Sequence, residues 1–224
     1  MPILRVGLRI RSLPNKDRPR SGGNIVHSPC SINSWLAQTP TVDEARPGQC
    51  PVCAAASRPV GGPLGLWGHG LRRRQLRGPQ EPLGPPQTVE LWLRRYRCRP
   101  CGAIVLVMPQ GVVPRRYYAA PAIALALALY ALCQLSAAKV RAQVNPWQVV
   151  GATAADGWST LTRWCRAIRG GRLLGGVRPC PQLFTLRQVA ERAAATLLSL
   201  APPGTQHLGP ELRAFLGGGF WQPA

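Results

Sequence analysis

The stretches Cys50-Pro51-Val52-Cys53 and Cys98-Arg99-Pro100-Cys101-Gly102 decide how this 224-residue chain is read. A Cys-x-x-Cys step makes a tight turn that aims two thiolates at one point, and two such turns complete a tetrahedral four-cysteine zinc site. Gly102 stands after the second pair, where a knuckle wants a positive φ, and Ala54 holds the matching place after the first. A redox Cys-x-x-Cys is the competing reading. It needs only one pair, set at a helix start within a βαβ unit, and neither pair has that context. Four thiolates leave no open position for water, so the Zn2+ expected at Cys50, Cys53, Cys98 and Cys101 is structural. Cys30, Cys133, Cys165 and Cys180 have no partner at ligand spacing, and Cys133 and Cys165 fall on apolar helix faces as core residues. His69, in Trp67-Gly68-His69-Gly70, reads as a surface turn residue rather than a further ligand.

Outward from the cysteines, 65–72 and 88–97 alternate in polarity and carry β-favouring residues, so both read as strands. The proline-rich 77–87 between them is a loop, and 103–108 is a further strand stopped at Pro109. Residues 46–112 are thus expected to form a zinc ribbon of antiparallel strands. Residues 1–45 scatter Arg5, Arg9, Arg11, Lys16, Arg18 and Arg20 among Pro, Gly and Ser and read as a flexible basic tail, with a short helical turn at Ser34-Trp35-Leu36-Ala37. Residues 113–171 read as helical: 122–133 after Pro121, 137–143 behind Ser136, which serves as a cap or a kink, a turn opened by Asn145-Pro146, and 157–169 capped by Asp156 and ended by Gly170-Gly171. In 172–224 one helix, 186–200, is stopped by Pro202-Pro203, and the Gly- and Pro-rich end reads as loose. The expected fold class is α+β: a small zinc ribbon followed by a helix-turn-helix-like bundle, with disordered ends.

The charge points to a polyanion. Lys plus Arg number 28 against 8 Asp plus Glu, a formal charge of +20, and Lys16 and Lys139 are the only lysines. A GC-rich genome explains Arg over Lys but not the scarcity of acids. The planar guanidinium fork suits phosphate and guanine edges. Arg72, Arg73, Arg74 and Arg77 follow the first strand signal, Arg94, Arg95, Arg97 and Arg99 lead into the second cysteine pair, and Arg115 and Arg116 follow the ribbon. If the two strands pair, these charges share one sheet, and neutralising about six phosphates gives a log–log salt slope of about −5. Trp92 and Tyr96 share a strand face with Arg94, where they either stack on bases or pack over the metal site. The competing reading is a solvated arginine hairpin with no fixed partner.

Residues 157–169 have two faces. Trp158, Leu161, Trp164, Cys165 and Ile168 form an inward stripe, and Ser159, Thr162, Arg163, Arg166 and Arg169 an outward one. Small hydroxyls early and arginines later suit a recognition helix in a major groove. Ser159, Thr160 and Arg163 are then the base-edge candidates, and Arg166 and Arg169 the phosphate contacts. The helix at 137–143 lies further upstream than the roughly three- or four-residue turn of a helix-turn-helix allows, so the short turn from Pro146 is an alternative partner.

Cys-Pro-x-Cys, the Gly-His-Gly-x-Arg-Arg run, Arg94-Arg95-Tyr96-Arg97-Cys98-Arg99-Pro100-Cys101-Gly102, Met108-Pro109 and Arg115-Arg116-Tyr117-Tyr118 together resemble the N-terminal zinc ribbon of bacterial insertion-sequence transposases. They are also similar to a bacterial domain of unknown function found alone. Gly157-Trp158-Ser159-Thr160-Leu161-Thr162-Arg163-Trp164 resembles the helix-turn-helix that follows that ribbon. The resemblance covers roughly residues 34 to 175 and implies zinc at the four cysteines and DNA as ligand. It does not extend to the catalytic domain, which binds two metal ions through three carboxylates on an α/β sheet. Of the acids, only Glu191 and Glu211 follow the helical region. No enzyme activity is expected; the chain reads as a transposition accessory, regulator or truncated relative. RNA binding and a non-functional mobile-element fragment are the alternatives. The start has no apolar run, since Arg5, Arg9 and Arg11 interrupt it, so the thiols are expected to stay reduced in a cytoplasmic, nucleoid-associated protein. The uncharged stretch 117–133 is read as a buried helix in preference to a membrane span. Oligomeric state and target sequence have no signal in the residues.

Overall fold

The residues described by the computed structural model are 23–148, 151 and 157–222. Within them the chain is α+β, with a four-stranded sheet and six helices. Strand β1 (Ile25–Ser28) and helix α1 (Ile32–Ala37) precede the first cysteine pair. Strands β2 (Leu66–Gly78) and β3 (Gln87–Cys98) form a long antiparallel hairpin, closed by the proline-rich residues 79–86, and β4 (Ile104–Pro109) follows the second pair. The sheet order is β1-β4-β3-β2, with β1 parallel to β4 and the other neighbours antiparallel.

The tail expected through residue 45 is shorter than its composition implies. Ile25–Ser28 pairs with Leu106–Pro109, and Trp35 is 1% exposed, its Nε1–H donating to the Trp92 carbonyl at 2.9 Å. One indole seated against β3 anchors a segment that otherwise has little to bury. Residues 1–22 lie outside the described residues. The segment after α1 covers one face of the sheet: Arg94 Nε donates to the Pro40 carbonyl at 2.7 Å and the Tyr96 hydroxyl to the Val42 carbonyl at 2.6 Å. Tyr96 is therefore interior and is not free to stack on bases.

Helix α2 (Ala120–Ala131) is the hub of the second layer. Every residue of it except Tyr130 is buried, because α3 (Ala137–Val144), α5 (Leu186–Leu198) and α6 (Pro210–Phe220) pack around it. Of the two readings at Ser136 the cap is found: its hydroxyl accepts from the Lys139 N–H at the start of α3. Arg187 on α5 closes the end of α2 by donating to the Tyr130 carbonyl and lying over the Tyr130 ring, 4.1 Å from its centroid. At 12 residues α2 is about 18 Å long, against roughly 30 Å of bilayer hydrocarbon. No helix among the described residues is long and apolar enough to cross a membrane.

The C-terminal end is not loose as far as Gln222. Helix α6 buries Ala214, Phe215, Gly217 and Gly218. A Cβ at Gly217 would lie 1.8 Å from the Leu197 carbonyl oxygen, and one at Gly218 2.8 Å from that of Ala120. The glycines that make the segment read as flexible are what let α6 seat against α5 and α2. The two layers meet where Arg77 bridges to Tyr118 and where Gly78, at φ +102°, passes α2 so closely that a Cβ would come 2.5 Å from the Ala122 Cβ.

Helix α4 (Ser159–Arg169) packs on α5. Its buried stripe of Leu161, Trp164, Cys165 and Ile168 is the expected one. Trp158 and Trp164 meet Tyr118 edge to face, at 5.8 and 5.0 Å between ring centroids. Trp158 holds the cap position without a side-chain cap bond, and Asp156, the expected N-cap, lies outside the described residues, as does part of the turn expected after Pro146.

Candidate metal centre and basic surface

Two hydrogen bonds shape each knuckle. In the first, Ala54 N–H donates to the Cys50 carbonyl and Cys50 N–H to that of Ala55, both at 2.9 Å; in the second, Gly102 N–H donates to Cys98 and Cys98 N–H to Ala103, again at 2.9 Å. The turns share a left-handed residue, Ala54 at φ 57° and Gly102 at φ 70°. The missing glycine in the first pair does not loosen the turn; alanine adopts the same backbone at a cost of about 1–2 kcal/mol.

The four sulfurs of Cys50, Cys53, Cys98 and Cys101 lie within 4.8 Å of one another. Cys50 Sγ is 3.8 Å from Cys101 Sγ, and Cys53 Sγ 3.6 Å from Cys98 Sγ. Four thiolates at about 2.3 Å from a central ion stand roughly 3.8 Å apart, so the spacing fits a tetrahedral metal ion. Burial pushes the Cys98 thiol up to about 12 and raises Cys101, while the Ala55 N–H draws Cys53 below the ordinary thiol value. A cation at the centre reverses that balance by stabilising all four thiolates. Soft sulfur donors in a closed set suit Zn2+ or a similar ion and leave no position for a reacting water. His69 is exposed and stands outside this group.

No protein-family model, curated protein or solved structure matches this chain. Its geometry therefore carries the functional reading.

The hairpin arginines do not form a single patch. His69 and Gly70 form a bulge, so that Gly68 pairs with Tyr96 and Leu71 with Arg94. Past the bulge the register puts Arg72 opposite Leu93, Arg74 opposite Leu91, and Arg95 opposite Leu106, all on one face. Arg73, opposite Trp92, shares the other face with Arg94. Arg94 is tied to Pro40 as described above. Arg74 donates to the Val113 and Arg116 carbonyls, and Arg95 to that of His69 at 2.9 Å. Arg73 pairs with Glu90 at 3.3 Å, with both side chains exposed. Arg72 and Arg97 are exposed, with no acidic partner among the described residues.

On α4, Ser159, Arg163 and Arg166 are exposed and Thr160 is half-buried. Arg169 is half-buried and donates to the Phe184 carbonyl, so one of the two expected phosphate contacts also holds the following loop in place. The sequence reading passed over a cation–aromatic stack: the Arg77 guanidinium lies 4.1 Å from the Tyr117 ring centroid and 4.0 Å from that of Trp147. The Tyr117-Tyr118 doublet was its only local signal, and Trp147 joins it from another element.

Proposed function

We propose that the protein is a zinc-stapled, cytoplasmic DNA-binding protein of the nucleoid, related to insertion-sequence transposases and acting by binding rather than catalysis. The observation that carries this is the meeting of four cysteine sulfurs within 4.8 Å at the base of an arginine-rich hairpin. In this reading β2, β3 and β4 with their two knuckles are the zinc ribbon, and the metal is structural. Helix α4 is the recognition helix of a helix-turn-helix-like unit: Ser159, Thr160 and Arg163 address base edges, and Arg166 and Arg169 phosphates. Arg72, Arg73 and Arg97 add phosphate contacts from the hairpin. A net charge of +20 supports a polyphosphate partner, and the likeness of the knuckles to transposase ribbons favours DNA over RNA.

The test is a selection from random duplexes with metal-loaded protein at stated salt, together with metal analysis. One zinc per chain and an enriched sequence are expected, with Arg163→Ala lowering preference among sequences more than overall affinity. Absence of bound metal, or equal affinity for all duplexes and for structured RNA, overturns the reading.

A further inference from the structure

The sheet face opposite the Pro40–Val42 cover is only partly closed. Residues 112–117 lie over its β2 end, where Arg74 is fastened beneath them. What remains is a cleft of about 760 Å³, lined by Arg72, Arg74, Arg95, Arg115 and Arg116, with Arg73 joining from the edge strand β2, and by no acidic side chain among the described residues. The half-buried Ile25, Ile104 and Leu106 give it an apolar floor, with Leu93 and Met108 buried beneath. Glu90, 3.3 Å from Arg73, is the only acid paired with any of these arginines among the described residues. The carbonyls that hold Arg74 and Arg95 leave their charge intact and fix the direction of their remaining N–H groups, which reduces the ordering cost of binding a phosphate. Burial first, and then the nearby Arg72, draws Arg74 below the usual guanidinium value, as crowded cations without a counter-ion require. Arg115 is exposed at the rim, with a left-handed φ of 61° at the third position of the turn closed by the Arg116 N–H donating to the Val113 carbonyl at 3.3 Å.

The aromatic stack begins at this rim. Tyr117 lines the cleft, and Arg77 lies between its ring and that of Trp147. Both rings are unusually open for their size, Tyr117 at 58% and Trp147 at 53% exposed. A duplex would use the arginines alone, because its bases are paired and stacked inside. A single strand uses everything present: phosphates meet the guanidinium groups, while unstacked bases lie on the apolar floor and the exposed rings.

Resting on the nucleic-acid reading above, we propose that this cleft is a binding site for single-stranded nucleic acid. Its phosphates are held by Arg72, Arg95, Arg115 and Arg116, and a base is stacked at Tyr117. The protein then grips an opened strand on the sheet while α4 addresses duplex.

The experiment measures fluorescence anisotropy of the full, metal-loaded chain with an oligothymidylate of about ten nucleotides, the matching oligouridylate, and a mixed-sequence duplex. Both single strands are expected to bind, and a preference between them assigns the strand to DNA or RNA. Tyr117→Ala weakens single-strand binding roughly 5- to 100-fold, Tyr117→Phe restores it, and neither changes duplex affinity. Arg72→Ala combined with Arg115→Ala lowers the single-strand log–log salt slope by about 1.4, two contacts at about 0.7 each. Thermal unfolding confirms that these exposed-site variants fold. Duplex binding without single-strand binding overturns this inference and leaves the parent reading standing; the reverse overturns the parent reading alone. Thymidine monophosphate competing as well as the oligomer, or variants that bind as the parent does, also overturns the inference.

Discussion

At the residue scale, Ala54 and His27 carry the sharpest expectations. Ala54 sits at φ 57° where the companion knuckle has Gly102. Replacing it with glycine removes roughly 1–2 kcal/mol of left-handed strain and adds about 0.5–1 kcal/mol of chain entropy loss, so Ala54→Gly is expected to stabilise by up to about 1 kcal/mol. Denaturant unfolding of the metal-loaded protein checks this, and a loss of stability would show that the Ala54 methyl is needed. His27 Nε2 lies 2.9 Å from the Val112 carbonyl, so the neutral ring donates there. Burial draws its pKa below the ordinary histidine value; the Val112 bond opposes the shift and Arg74 adds to it. The folded state therefore binds this proton less readily than the unfolded chain. His27's contribution is intact above about pH 6.5 and declines as the pH falls through that value toward the lower folded pKa. The unfolding midpoint of the parent is expected to drop more steeply between neutral and mildly acidic pH than that of His27→Gln. Parallel curves would remove His27 from the acid response.

At the scale of elements, α6 shows how composition misleads. Glycine disfavours a helix interior by about 1 kcal/mol each, and the run Gly217–Gly219 reads accordingly as loose. Packing reverses this where the helix backbone must touch its neighbours. Gly217→Ala drives a methyl into the Leu197 carbonyl and is expected to destabilise by about 1–3 kcal/mol despite better helix propensity. Gly219, with nothing within 4 Å of its would-be Cβ, provides the contrast: Gly219→Ala is expected to stabilise by up to about 1 kcal/mol. Similar responses at both positions would mean that α6 does not pack as described. The hairpin teaches the same lesson about faces. The bulge at His69-Gly70, with Gly70 at φ 82°, changes the alternation, so Trp67 pairs with Arg97 and Leu71 with Arg94 on opposite faces although they stand four apart.

At the scale of the molecule, the buried apolar residues fall into two clusters. One lies under the sheet and includes Cys50, Cys98 and Trp35; the other lies around α2. Metal removal is expected to act on the first. With a strong chelator, or in Cys98→Ser, amide hydrogen exchange in β2, β3 and β4 should rise, reporting loss of the sheet layer, before helical circular dichroism falls. A single transition seen by both probes would show that the junction at Gly78 and Tyr118 couples the layers into one unit.

What the residues determined alone was local. The two cysteine turns, the strands beside them and the inward stripe of α4 all follow from spacings of a few residues, because short-range hydrogen bonds and side-chain periodicity fix them. Tertiary structure alone decided which arginines are free. Arg94 is tied to Pro40, Arg74 to Val113 and Arg95 to His69, and Trp147 reaches Arg77 from another element. A guanidinium's task depends on which distant carbonyl or ring reaches it, and that is set by how a bulged sheet is covered, not by its neighbours along the chain.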